Sequence, residues 1–110
     1  MDGLGEVTNE MLRMAQDLIR RHGWIQGEHG AQSIGFCVTG ALSAAMWTTG
    51  VCSYDDNYAC VYAAYDGAAD RLWEQARAKG FRNAAAFNDA AGRTEQEVLD
   101  LLSLALIPGS

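Results

Sequence analysis

The sequence predicts an all-α fold: a compact single-domain bundle of four to five helices around a central helix of small residues. Three observations predict it. Apolar residues recur at helical spacing, and no alternating run with hairpin punctuation appears. Alanine is abundant, and the single proline, Pro108, stands beyond the last helical pattern. The 110 residues are enough for one core without metal or disulfide staples and too few for two. One helical domain over 1–110 is therefore expected, with 1–6 and 108–110 as loose ends.

The elements follow in order. Residues 1–6 carry two glycines and read as a lead-in. With Thr8 or Asn9 as cap, Met11, Met14, Ala15, Leu18, Ile19 and His22 form a 3.6-residue stripe that ends at Gly23. Gly23, Gly27 and Gly30 lie within eight residues, which predicts a loop with positive φ angles, anchored to the core by Trp24 and Ile25. Phe36 to Trp47 is the second helix. Its inward positions, Cys37, Gly40, Ala41, Ala44 and Ala45, are small and admit neighbouring helices on close approach, so it should lie between the first, third and last helices. Gly50 stops it, and Asp55 or Asp56 in the following loop is a candidate cap. Tyr58 to Lys79 is the longest helix, with Val61, Tyr62, Tyr65, Ala69, Leu72, Trp73 and Ala76 on one side, Gly80 as its C′ residue and Gly67 marking a kink or a tight crossing. A short turn of helix is expected over Asn83 to Phe87. The last helix begins at Thr94, which forms a capping box with Glu97, and runs to Leu106 or Ile107.

Charge narrows the function classes. The formal net charge is −6, the acids are spread along the chain, and there is no basic block, which disfavours nucleic-acid binding. No apolar run reaches the roughly 20 residues of a membrane span, so no membrane partner is expected. Cys37, Cys52 and Cys60 are an odd number without zinc spacing, and no signal-peptide pattern opens the chain. A reduced, cytoplasmic protein is the expectation, with no cofactor.

Several of these segments together resemble a small family of uncharacterised proteins from actinobacteria and their phages. The resemblance rests on Gly23-Trp24, Gln26-Gly27, Cys37 with Gly40-Ala41-Leu42, Asn88-Asp89-Ala90, Gly92-Arg93-Thr94 and Glu97-Val98-Leu99. It covers most of the chain. The chain departs at Ile25, where the family often has cysteine, and at Ala91, where it often has proline. The first departure weakens any paired-cysteine chemistry. The resemblance implies a common fold and a bacterial or phage-linked origin, and it brings no activity, substrate or cofactor.

Five constellations are candidates for chemistry, each with a structural counterpart. Cys37 near a helix N-terminus, Gln26 as an oxyanion donor and His29 as base would make a thiol-dependent hydrolase or transferase. However, both histidines precede the cysteine, the reverse of papain-like order, and a buried cysteine among alanines is an ordinary small hydrophobe. His22, His29, Glu28, Cys37 and Asp89 are the candidate metal ligands, and they show no recognised spacing, so no metal is expected. Trp24, Gln26, Asn88, Asp89 and Arg93 suit a ligand-binding turn, but the stronger reading is a turn locked by an Asp89–Arg93 pair and by Asn88 bridging backbone groups, packed against the Trp24 loop. Asp70 and Glu74, with Arg71, Arg77 and Lys79 close by, read as a solvated face. Tyr54, Tyr58, Tyr62 and Tyr65 are more tyrosine than a small core needs, which gives either core with wet hydroxyls or a surface for a partner or a second copy. The first functional reading is thus a small acidic non-catalytic domain that binds another protein or itself. The thiol enzyme and the small-ligand domain are the alternatives.

Overall fold

Helix α1 begins at Gly3 and runs to His22, earlier than a cap at Thr8 or Asn9 would place it. The reason is that both residues are interior side chains. In the computed structural model, which describes residues 3–28, 30–31, 33–48 and 58–108, Thr8 and Asn9 are buried on the inner face of α1. The Asn9 amide pairs with the backbone of Ile107, accepting from its N–H at 2.7 Å and donating to its carbonyl at 2.9 Å. One side chain thereby straps the end of the chain to the first helix. Gln16, two turns on, donates to the carbonyl of Leu99 and to the Ser103 hydroxyl, at 2.9 and 2.7 Å. Buried amides are stable only when satisfied in this way.

The remaining helices are α2 (Val38–Thr48), α3 (Tyr58–Ala78), α4 (Ala84–Asp89) and α5 (Glu95–Ala105). Helix α1 packs on α2, α3 and α5. The small-residue helix α2 is buried as its composition predicts, with Gly40, Ala41, Leu42 and Ala45 inside, and it packs among α1, α3 and α4. The last helix docks on α1 and α3 instead. Helix α3 turns Ala64, Ala68, Leu72 and Ala76 inward, an i, i+4 row of three alanines and a leucine. A Cβ on Gly67 would stand 3.1 Å from the Thr8 hydroxyl, so this glycine marks a tight crossing. Because the alanine row sets the buried face, Tyr62 points out, away from the side on which the apolar spacing places it.

Ends are well capped. Gly80 has φ +93°, and the N–H groups of Gly80 and Phe81 donate to the carbonyls of Arg77 and Ala76, a Schellman closure of α3. Asn83 caps α4 by accepting from Ala86 N at 2.7 Å. Arg71 of α3 donates through Nε and Nη2 to the carbonyls of Ala105 and Leu106, satisfying the open end of α5. At the other end of α5 the capping box is complete: Thr94 Oγ1 accepts from Glu97 N at 3.2 Å and Glu97 Oε1 from Thr94 N at 2.9 Å. The bond from Thr94 N, with help from its hydroxyl and from Arg93, holds the Glu97 carboxyl below its ordinary range. A carboxylate depressed in the folded state adds stability above its unfolded pKa and loses it as pH falls through the folded value. Glu97→Gln should therefore flatten the loss of stability below about pH 4.5. Urea midpoints measured across that range check it.

The structure also contains strands that the apolar pattern does not reveal. Gly30–Ala31 (β1) and Gly35–Phe36 (β2) pair antiparallel, Gly30 opposite Phe36, and Trp24 bridges to Phe36 from the other side. Two-residue strands have no periodicity to read. They are made by glycine, since Gly23, Gly30 and Gly35 all have φ near +95° to +98°. Val51 to Asn57, with Gly50 and the two candidate caps, lie outside the described residues.

Candidate functional site

Asn88, in the last turn of α4, is completely buried and uses every hydrogen-bonding position of its amide. Oδ1 accepts from the Trp24 indole N–H at 2.7 Å and from the backbone N–H of Val38 at 2.9 Å. Nδ2 donates to the Ile25 carbonyl at 3.1 Å and to Asp89 Oδ1 at 3.0 Å. Val38 is the first residue of α2, so Asn88 supplies a missing acceptor to the start of a helix fifty residues away in sequence. The same helix is capped from within by Cys37, whose sulfur accepts from Gly40 N at 3.2 Å and lies 3.2 Å from the Thr39 hydroxyl.

The loop is fastened on its outer side too. Gln26 Nε2 donates to the carbonyls of Asn88 and Ala90, both at 3.0 Å, and Asp89 Oδ1 accepts from Gly27 N at 2.9 Å. Trp24, Gln26, Asn88 and Asp89 are thus brought together, as their grouping in the sequence anticipates. Arg93 is not with them. It donates to the Phe87 carbonyl at 2.7 Å, lies 3.6 Å from the centre of the Phe87 ring, and pairs with Glu97 at 3.4 Å. The Asp89–Arg93 pair is replaced because Asp89 is already engaged by Gly27 N and Asn88. Among the described residues no buried side-chain nitrogen or oxygen lacks a partner. A ligand at this turn would have to displace bonds that hold three elements in place.

Beside the clamp is a cleft of about 150 Å³ lined by Glu28, Cys37, Thr39, Ala85 and Asp89. Cys37 is only 6 % exposed at its edge. The Gln26 amide is held on the Asn88 and Ala90 carbonyls, and His29 lies outside the described residues. His22 makes an edge contact with the Phe36 ring at 5.9 Å. Among the described residues no group of three or more His, Cys, Asp and Glu side chains is placed to hold a metal. Iodoacetamide should accordingly modify Cys37 far more slowly in the native protein than in urea, as peptide mass mapping would show. Equal rates would mean an open, reactive thiol.

The tyrosines separate. Tyr65 is half-buried against the core, and Tyr62 is 48 % exposed. Tyr54 and the side chain of Tyr58 lie outside the described residues. Tyr62 meets Trp47, at the end of α2, edge to face with ring centroids 6.5 Å apart and planes at 89°. Trp47 is 63 % exposed. The composition points to no role for this tryptophan, and no local pattern in the sequence marks it as exposed.

Together these features define a mostly helical single domain with a closed polar clamp and an open aromatic pair. The chain belongs to a family of unknown function, DUF6197, whose model matches residues 5–106. No curated protein and no solved structure gives a significant match. Among the described residues no helix is long and apolar enough to cross a membrane.

Proposed function

We propose that this domain is a non-catalytic, phage- or prophage-linked interaction module of a bacterial cytoplasm, which grips a protein partner through the surface around Trp47 and Tyr62. The observation that carries the reading is the pair itself. Two large aromatic side chains stand open at the junction of α2 and α3, each orienting the other. Aromatic residues of this kind supply much contact area at little entropic cost and dominate binding energy at interfaces. The polar turn, by contrast, is internally satisfied, which favours a structural role for Trp24, Gln26, Asn88, Asp89 and Arg93 over ligand binding.

The test is photo-crosslinking in cells from p-benzoylphenylalanine placed at Tyr62. A discrete protein adduct that disappears with Trp47→Ala supports the reading. An adduct unaffected by Trp47→Ala, or none, refutes it. The double variant Trp47→Ala/Tyr62→Ala should keep the parent's thermal midpoint within a few degrees, because exposed side chains contribute little to folding.

A further inference from the structure

The charges around the aromatic pair say what kind of surface it meets. No lysine or arginine occurs between Arg21 and Arg71, a stretch that holds all of α2 and the first half of α3 and carries Asp66 and Asp70 on α3. On α3 the exposed residues Tyr62, Ala63, Asp66 and Asp70 fall on one arc of the helix, with Tyr62, Asp66 and Asp70 at successive i+4 steps. Among the described residues neither aspartate is ion-paired, whereas Asp17 and Glu97 each have an arginine. The aromatic pair therefore adjoins carboxylates without an ion partner, and the nearest following cation in sequence, Arg71, is engaged with the Ala105 and Leu106 carbonyls.

Resting on the reading of this face as a docking surface, we infer that its occupant is a cationic protein segment: an apolar anchor seated on Trp47 and Tyr62, with lysines or arginines reaching Asp66 and Asp70. A second copy of the chain docking by the same face would set carboxylate against carboxylate, which complementarity between interfaces opposes. A nucleic acid would be repelled by the same charges. Rim charges at an interface chiefly steer association and select the partner, so recognition should weaken as salt screens them over about 10 Å at 0.1 M.

The test uses the full chain labelled with 15N and reads the indole N–H signals of Trp24, Trp47 and Trp73, assigned with Trp47→Phe. Two synthetic amphipathic helical peptides share one leucine and tryptophan stripe and differ only in a lysine and arginine rim or a glutamate rim. The expected result is that the basic peptide moves the Trp47 signal and leaves Trp24 in place. Asp66→Asn/Asp70→Asn should weaken that binding about tenfold, as should raising salt from 50 to 500 mM. A Trp47 shift caused equally by the acidic peptide, or by raising the concentration of the protein alone, overturns the cationic partner and leaves the docking face standing. A Trp47 signal that no peptide and no concentration moves overturns both.

Discussion

Asn88→Leu is expected to cost about 4 kcal/mol, a large part of the roughly 5–15 kcal/mol that keeps a domain of this size folded. Leucine nearly matches asparagine in shape, so the loss comes from chemistry and not from a cavity. The Val38 N–H would be left in the interior without an acceptor, and the half-buried Trp24 indole N–H and Ile25 carbonyl would each lose a partner. Each orphaned buried group costs about 1–3 kcal/mol. Asn88→Asp is the informative comparison, since it keeps an acceptor for Trp24 and Val38 but turns a carboxylate toward Asp89. It should fall between the parent and leucine. Urea denaturation of the three proteins measures this, and a leucine variant as stable as the parent would show that the amide is not a clamp.

Gly30→Ala should cost about 3 kcal/mol and abolish the β1–β2 pairing. Gly30 has φ +95°, and a Cβ there would stand 2.0 Å from the Gly35 carbonyl oxygen, which is backbone and cannot swing aside. Gly27→Ala is the control. Its φ of +86° carries a comparable conformational penalty, but nothing lies within 4 Å of the added atom, so it should cost about 1 kcal/mol. The difference isolates the steric requirement for glycine at the hairpin, and equal losses for the two variants would remove it.

Local signals were legible in the sequence. The capping box at Thr94, the Gly80 closure, the Asn83 turn and the positive-φ loop glycines each depend on residues a few positions apart, so their types state their geometry. The inner faces were less so. Thr8 and Asn9 resemble helix caps until Ile107 and Gly67 are placed beside them, and Tyr62 joins an apolar stripe until the alanine row of α3 shows which side meets α1. The members of the polar turn could be named from their chemistry. Their partners could not, since Asn88 reaches residues fifty and more positions away and Asp89 pairs with a loop amide in place of the nearer Arg93. The exposure of Trp47 is a property of the assembled bundle, and no local pattern encodes it.

Two tryptophans are held in opposite ways: Trp24 is bound into the clamp, and Trp47 stands exposed. Hydrogen exchange of their indole N–H protons measures that difference directly. Trp24 should exchange only through opening of the clamp, orders of magnitude more slowly than Trp47, and Asn88→Ala should release it. A Trp24 indole that exchanges as fast as that of Trp47 in the parent protein would contradict the account.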